Sequence, residues 1–324
     1  MDQASADHIH VGHDGWLFLI SGSNNVVDQF NKSDYMTFQV ESWRKIILRR
    51  RHRLARMGIV YRHVVVPEKL TIYEDRLDGI SIEVALSPAR RLPRMFPRRP
   101  RRWHHVGGPL DALRLRRTCV DLIEPMRAQR AGADLYFRTD SHWNLAGCLI
   151  GYRAVCRAFG ARPRDDFDRR PSLIVEHAGD LGSALDPPRT ETARVHALQR
   201  DAARSYASPI VLTRERAGLS HTLHVGAHVI YANAQASDPR VLVLFGDSYA
   251  HFAPSALTIM LAETFREVHF IWSTSVDWAY VERVKPDLVL TEIAERFMFR
   301  TPDDRFDLER YAAERFGDEI RGNA

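Results

Sequence analysis

Runs of apolar residues that predict buried strands alternate along the chain with segments in which apolar residues recur at helical spacing. The run at 241–245 (Val-Leu-Val-Leu-Phe) has no polar position, which is typical of a strand buried on both faces of a parallel sheet. The predicted strands lie at 59–67, 118–123, 134–137, 240–246, 267–272 and 287–293. The predicted helices lie at 34–57, 125–130, 144–159, 253–265 and 276–284. Strands that alternate with helices predict a mostly parallel sheet with helices on both faces.

Residues that favour helix ends bracket the two longest of these helices. Ser33 can accept a hydrogen bond from the first turn of one helix, and Gly58 follows its last apolar positions. Asn144 precedes the other helix and Gly160 follows it. These signals predict where both helices begin and end.

The stretch 161–235 is less regular and predicts an insertion into the domain rather than a second domain. It contains turn sequences and short apolar runs at 210–213 and 221–232, which predict strands in a small β-rich excursion beside the main sheet. The remaining pattern predicts one catalytic domain over 12–300 and a C-terminal tail over 301–324.

The composition is that of a globular protein, with 324 residues of which 45% are hydrophobic and 27% charged. No run approaches the roughly 18 to 20 consecutive apolar residues of a membrane-spanning helix. The first residues lack a basic segment followed by an apolar one, so the sequence predicts no signal peptide and a cytoplasmic location for the chain as written. Cys119, Cys148 and Cys156 show no paired pattern and fit a reducing compartment.

Arginine dominates the basic residues, since only four of the 46 are lysines. Seven arginines and three prolines fall within 90–102. Because proline at this density opposes a regular helix, 88–105 is predicted to be an exposed basic loop. The loop is either simply solvated or a surface for an anionic partner. No nucleic-acid-binding motif accompanies it, so no nucleic-acid partner is predicted.

The triplet Gly-Asp-Ser at 246–248 follows the strand at 240–246 and precedes a predicted helix. A tight turn between strand and helix exposes a serine hydroxyl at the end of a sheet. About a hundred residues earlier, Asp140 and His142 follow another predicted strand. If the strand conformation continues that far, their side chains lie on the same side. Catalytic groups of open α/β sheets lie at the carboxyl ends of strands, where both motifs are predicted.

These residue types suit nucleophilic catalysis. A serine hydroxyl is a weak nucleophile near pH 7 and needs a base to accept its proton. Histidine has an unperturbed pKa of about 6.5, close to the working pH, and a carboxylate on its far ring nitrogen fixes the tautomer. The sequence therefore predicts a serine acyl-transfer enzyme. The histidines show no spacing of a known metal site, so no metal and no cofactor is predicted.

The two motifs resemble those of a known family. Gly-Asp-Ser-Tyr at 246–249 resembles the nucleophile block of SGNH hydrolases. Thr-Asp-Ser-His-Trp at 139–143 resembles the Asp-x-His-Trp block of the alginate O-acetyltransferases, a branch similar to a circularly permuted SGNH fold in which Asp and His precede Ser, as they do here. Other segments similar to that family are 12–18, 65–69, Tyr73, 179–182 and 286–296.

The resemblance implies a three-layer α/β/α, SGNH-hydrolase-like domain and acetyl transfer to polysaccharide hydroxyls through an acetyl-serine. Ser248 would be the nucleophile, with its backbone N–H as one oxyanion donor, His142 the base and then acid, and Asp140 the residue that orients it. The implied partners are a polysaccharide acceptor and an acetyl donor supplied by a membrane-bound acyltransferase, in the periplasm if the true start lies upstream. Two alternatives stay open: a carbohydrate acetylesterase with the same triad, and a non-catalytic glycan-binding or assembly protein.

Further candidates for oxyanion or substrate binding are Gly246, Tyr249, Trp143, Lys69, Gly182 and Asn233. Trp143 is either a platform for a sugar ring or a wedge in the core. Lys69 either orients an acidic sugar or is a surface lysine. Gly182 and Asn233 are candidates for the second oxyanion donor.

Overall fold

A computed structural model describes residues 6–96, 117–251 and 256–322 of the chain. The strands are β1 (Ile9–Val11), β2 (Leu17–Leu19), β3 (Val60–Val66), β4 (Cys119–Val120), β5 (Ser172–His177), β6 (Glu191–His196), β7 (Ala203–Ala207), β8 (His228–Ala232), β9 (Asp238–Gly246), β10 (Phe265–Trp272) and β11 (Leu288–Ala294). The helices are α1 (Asp34–Arg56), α2 (Lys69–Ile72), α3 (Pro88–Arg94), α4 (Ile123–Gln129), α5 (Leu145–Phe159), α6 (Gly179–Gly182), α7 (Pro209–Arg216), α8 (Leu257–Ala262), α9 (Trp278–Val284) and α10 (Leu308–Gly322).

Within these ranges the central sheet has seven strands in the order β4-β3-β11-β9-β10-β8-β7. The strands from β4 to β10 in this order are parallel, β8 is antiparallel to β10, and β7 is antiparallel to β8. Two separate hairpins, β1–β2 and β5–β6, lie outside this sheet. The prediction of a mostly parallel sheet is confirmed.

Alternate residues of β9 belong to two different hydrophobic cores. Leu242 and Leu244 pack in the core that contains α5 and α8. Val243 and Phe245 pack in the core that contains α1, α3 and α9. A strand without polar positions is thus buried on both faces, and helices, sheet and helices form the three layers that the sequence predicts.

The two long helices end where their capping residues predict. The Ser33 hydroxyl accepts a hydrogen bond from the Met36 N–H at 3.0 Å at the start of α1. The Asn144 side chain accepts from the Gly147 N–H at 3.2 Å at the start of α5, and Gly160, with a φ of 70°, ends that helix in the left-handed conformation.

The region 161–235 differs from its prediction in two respects. Residues 210–213, predicted as a strand, lie inside α7, because Pro209 occupies the first helical turn, where it needs no N–H partner. β7 and β8 extend the central sheet instead of forming an excursion beside it, and β5–β6 is the separate element. In the C-terminal segment, α10 contacts α7 through an ion pair between Arg214 and Glu319 at 2.9 Å.

The first part of the predicted basic loop is helical, so the prediction for it is wrong. In α3, Pro88 lies in the first turn and the Ser87 hydroxyl accepts a hydrogen bond from the Arg90 N–H at 3.3 Å. Pro93 comes near the end of α3, and burial of Ala89 and Leu92 holds this short helix in place. Residues 97–105 of the predicted loop lie outside the described residues.

No helix in the described parts of the chain has the length and apolar character needed to cross a membrane.

Candidate active site

The structure brings together the three side chains that the sequence singled out. Ser248 follows the carboxyl end of β9, and its Oγ lies 2.7 Å from His142 Nε2. The other ring nitrogen, Nδ1, lies 2.7 Å from Asp140 Oδ1. All three residues are buried, with Ser248 the most exposed at 7%. The arrangement is a continuous hydrogen-bonded chain from a serine through a histidine to a carboxylate.

Asp140 and His142 meet through a tight turn rather than through strand alternation. Asp140 Oδ1 also accepts from the backbone N–H of His142 at 2.8 Å, a turn in which an aspartate binds the backbone two residues on. The prediction of a strand over 134–137 is wrong, since the segment makes only an isolated bridge between Tyr136 and Trp143. Burial alone would raise the pKa of the Asp140 carboxyl, but the charge of His142 and the surrounding donors hold it well below its usual range.

The turn that carries Ser248 is fixed by Asp247. Its two carboxylate oxygens accept from the N–H of Tyr249 at 2.9 Å and of Ala294 at 2.7 Å. At Gly246, an added Cβ would lie 2.8 Å from Glu292 Oε2 and 2.9 Å from the Cβ of Ala250. Glycine is therefore required there for space, and the turn is tied to the end of β11.

Comparison with known families shows which family the chain belongs to. The model of the SGNH hydrolase-like domain of the acetyltransferase AlgX matches residues 9–219, which is more than half of the chain. The chain belongs to this family. A comparison with curated proteins finds no sequence match.

Solved structures share the fold of this AlgX family member. The O-acetyltransferase domain of Pseudomonas putida AlgJ is 16% identical, with a TM-score of 0.54 and coverage of 94% of this chain and 97% of that one. Bacillus cereus PatB1 with a sulfonyl adduct is 15% identical, with a TM-score of 0.57 and coverage of 90% and 97%. Pseudomonas aeruginosa AlgX is 14% identical, with a TM-score of 0.51 and coverage of 91% and 63%. At these identities the likeness shows a shared fold.

A buried polar network supports the segment 139–143 of this AlgX family member. Ser141 donates from its N–H and from its hydroxyl to the two oxygens of Asp180, both at 2.6 Å. Arg296 donates to the Ser141 Oγ at 3.2 Å and pairs with Glu68 at 3.4 Å. The four segments that contain its members are among those named above for their family resemblance. That these side chains meet was not predicted, because they lie far apart along the chain.

Glu292 is a second feature that sequence reasoning missed. It lies on β11, is buried, and its Oε2 accepts from the Asp247 N–H at 3.1 Å. Burial and the neighbouring Asp247 carboxylate raise its pKa well above the usual range, which favours the neutral acid. One charged residue inside the apolar sequence of a central strand was the signal that could have revealed it.

Tyr249 and Trp143 support the motifs and do not face a substrate. The Tyr249 hydroxyl donates to the Ser141 carbonyl at 2.5 Å and so links the two catalytic segments. Trp143 is fully buried, and added Cβ atoms at Gly147 and Gly151 would lie 3.0 and 2.9 Å from its side chain. The prediction of a sugar platform is wrong for Trp143, which is a wedge in the core against α5.

Lys69 is neither a surface lysine nor a residue that can orient a sugar. It is buried, and its Nζ donates to the carbonyls of Leu17 at 2.8 Å and Arg138 at 3.3 Å. It lies 5.6 Å from the Trp16 ring centroid. Burial lowers its pKa to about 8 although nearby carboxylates, Asp140 first among them, oppose that shift. Lys69 lies in a turn after a predicted strand, and this sequence context did not indicate that its side chain is buried.

The two candidates for the second oxyanion donor are also wrong. The Gly182 N–H donates to the Thr139 carbonyl at 2.8 Å, so it is engaged in holding the catalytic segment. Asn233 follows β8 and lies beside the start of β10. Ser248 follows the carboxyl end of β9, which is parallel to β10, so the two residues lie at opposite ends of the strands. Its side-chain amide donates to the Ala262 carbonyl at 3.1 Å.

One group of possible metal-ligating side chains occurs among the described residues. Ligand atoms of Asp140, His142 and Asp180 lie within 4.8 Å of one another. Asp140 and His142 bind each other, His142 also meets Ser248, and Asp180 accepts from Ser141. Because hydrogen bonds account for all three side chains, we assign none of them as a metal ligand.

The buried amine of Lys69 predicts a pH-dependent stability. Its pKa is about 8 in the folded chain and 10.5 ordinarily, so between these values the unfolded chain binds more protons. The free energy of unfolding therefore rises with pH in this window. Relative to Lys69→Met, the wild type should gain up to about 3 kcal/mol between pH 8 and 10.5. Urea unfolding at several pH values measures this difference. Lys45→Met, at an exposed position of α1, is the control and should show a constant difference.

Proposed function

We propose that this chain transfers acetyl groups to polysaccharide hydroxyls through an acetyl ester on Ser248. The observation that carries the proposal is the hydrogen-bonded chain Ser248–His142–Asp140 in a member of an acetyltransferase family. The fold places the serine at the carboxyl end of a central strand, where open α/β sheets hold their reacting groups.

In the first half-reaction, Ser248 Oγ attacks the carbonyl carbon of the acetyl donor and its proton passes to His142 Nε2. Asp140 stabilises the imidazolium through its hydrogen bond to Nδ1. The backbone N–H of Ser248 is the donor that we assign to the negative oxygen of the tetrahedral intermediate. When this intermediate collapses, the donor's leaving group departs with the proton from His142, and acetyl-Ser248 remains.

In the second half-reaction a sugar hydroxyl takes the place of the leaving group. His142 accepts the proton of that hydroxyl while its oxygen attacks the acetyl carbon. The new intermediate collapses, the ester bond to Ser248 breaks, and His142 returns the proton to Ser248 Oγ. The products are an O-acetylated sugar and the free enzyme, so no net proton is gained or lost.

The cysteines do not compete for the role of nucleophile. Cys148 and Cys156 are buried in α5, and burial raises the pKa of both thiols. Burial also raises the pKa of the Cys119 thiol at the edge of the sheet. A thiolate, which is the reactive form, is therefore disfavoured at all three positions.

The proposal also covers the source of the acetyl group and the sugar that receives it. A membrane-bound acyltransferase that hands over the acetyl group is the partner we propose, on the family resemblance. We propose an acidic polysaccharide as acceptor, because α3 carries Arg90, Arg91 and Arg94 at the start of the arginine-rich segment. Positive charge at such a surface raises the local concentration of an anionic glycan.

Transfer and hydrolysis can be separated by experiment. A bound sugar must compete with about 55 M water for the acetyl-enzyme, so it must be held close and in the right orientation. Adding acidic oligosaccharides to the enzyme and 4-nitrophenyl acetate should yield acetylated sugar, detected by mass spectrometry.

Replacing Arg90, Arg91 and Arg94 by glutamine should lower this yield several-fold while basal hydrolysis changes less. Glutamine at Arg310, Arg315 and Arg321 on α10 is the charge-matched control. If free acetate alone forms with several acidic glycans and at every acceptor concentration, the enzyme is an acetylesterase.

A further inference from the structure

A second histidine lies on the catalytic carboxylate. His177 Nε2 is 3.2 Å from Asp140 Oδ2, the oxygen that faces away from His142. The same oxygen accepts from the Asp180 N–H at 3.1 Å. The carboxylate thus meets two imidazoles: it is hydrogen-bonded to His142 through Oδ1 and lies within ion-pair distance of His177 through Oδ2. Nothing in the proposed reaction requires the second imidazole.

The position of His177 is fixed at the loop end of the β5–β6 hairpin. His177 is the last residue of β5, and its carbonyl accepts from the Thr139 hydroxyl at 3.1 Å. Across the hairpin, the Glu191 carboxylate accepts from the N–H and the hydroxyl of Thr139, both at 2.8 Å. The His177 ring lies 4.7 Å from the Phe137 ring. The hairpin therefore holds the imidazole next to the residue that precedes Asp140.

His177 differs from the triad in its access to water. Its side chain is 19% exposed, whereas that of Asp140 is 2% exposed. His177 therefore approaches Asp140 Oδ2 from the side of the fold that is nearer to solvent.

The charges around His177 favour its protonated form. The titratable groups that face it are the carboxyls of Asp140, Asp180 and Glu191, with His142 beyond Asp140. Its contact with Asp140 raises its pKa above the usual value, against a smaller opposing effect of burial. Two further cations lie near these carboxylates, and both are buried: Lys69, close to Asp140, and Arg296, close to Asp180.

We propose that His177 is a positioning residue that holds Asp140 from the solvent side as an imidazolium and sets the pH at which the Asp140–His142 pair accepts the serine proton. This rests on the proposed function, since it concerns the same triad. A positive charge on Oδ2 weakens the pull of the carboxylate on a proton at His142. We therefore expect the acid limb of the activity profile to lie at lower pH with His177 than without it.

The test compares pH profiles of kcat/KM for 4-nitrophenyl acetate. His177→Gln replaces the ring by an amide that cannot be charged, so the half-activity point of the acid limb should move up by about 0.5 to 1 pH unit. His177→Phe keeps a ring against Phe137 but offers no donor. It should show the same upward shift and, in addition, a several-fold lower kcat. His196→Gln, on the same hairpin, is the matched control and should leave the profile in place.

A merely structural role would lower stability or kcat without moving the acid limb. Acid limbs of the wild type and His177→Gln that agree within about 0.2 pH unit would therefore overturn the proposal. NMR titration of the histidine rings in Ser248→Ala protein provides a readout that needs no turnover. There, His177→Gln should raise the titration midpoint of the remaining active-site imidazole, and an unchanged midpoint contradicts the coupling. If Ser248→Ala keeps its activity instead, the proposed function fails, while this titration still decides the coupling.

Discussion

Ser248→Ala should lower kcat for 4-nitrophenyl acetate by more than about 10³-fold while the protein stays folded. In the proposed reaction this hydroxyl forms the acetyl ester, and alanine leaves His142 without a proton to accept. Ser248 lies in a turn held by backbone hydrogen bonds to Asp247, so the loss of one hydroxyl does not remove what shapes the turn. Steady-state kinetics measure the effect, and circular dichroism with thermal unfolding checks the fold.

A matched control variant and a chemical label test whether the effect is specific to Ser248. Ser273→Ala removes another buried serine, at the end of the neighbouring strand β10, and should keep most of the activity. A sulfonyl fluoride should modify the wild type at Ser248 and leave the alanine variant unmodified, as judged by peptide mass spectrometry. Robust turnover by Ser248→Ala, or labelling at another residue only, would show that a different nucleophile acts.

Asp140→Asn should lower kcat by roughly 10³- to 10⁴-fold with little change in KM. The amide has nearly the shape of the carboxylate, but it carries no charge to stabilise the imidazolium. Each oxygen of Asp140 accepts a backbone N–H, from His142 at 2.8 Å and from Asp180 at 3.1 Å. In Asp140→Asn the amide nitrogen replaces one of these oxygens. Two hydrogen-bond donors would then face each other, so the turn that orients His142 is disturbed as well.

The control for this variant is Asp134→Asn in the same segment. Asp134 forms an exposed ion pair with Arg138 at 2.9 Å and touches none of the three catalytic side chains. Exposed pairs of this kind contribute little to stability, so the activity should stay within about twofold of the wild type. Equal losses in both variants would mean that the segment responds to any change of charge, and the assigned role of Asp140 would then be wrong.

Features with a local cause were predictable from the sequence. The apolar run of β9 and the capping residues Ser33, Asn144 and Gly160 act within one element, and all of them appear as expected. The three residues of the proposed triad were singled out because the reaction demands a nucleophile, a base and a carboxylate, and the structure brings their side chains together. Spacing alone does not explain their meeting, since a turn and not a strand brings Asp140 to His142.

Features that depend on distant contacts were not predictable. Lys69 is buried because it binds the carbonyls of Leu17 and Arg138, one about fifty and one about seventy residues away. Pro93 fits in a helix because Leu92 is covered by other parts of the chain. In each case tertiary packing outweighs the preference of the residue itself, which a single sequence does not reveal.

The strand order has a consequence for how the chain matures during synthesis. β11 lies between β3 and β9, so the last strand made fills the middle of the sheet. Until residue 294 has left the ribosome, the nascent chain has two unpaired apolar edges, and closing this gap brings together segments more than 200 residues apart. Such late, long-range pairing is slow and exposes edges prone to aggregation. We therefore expect C-terminal truncations before residue 288 to be inactive and insoluble, and synthesis of the full chain to depend on chaperones until β11 has been made.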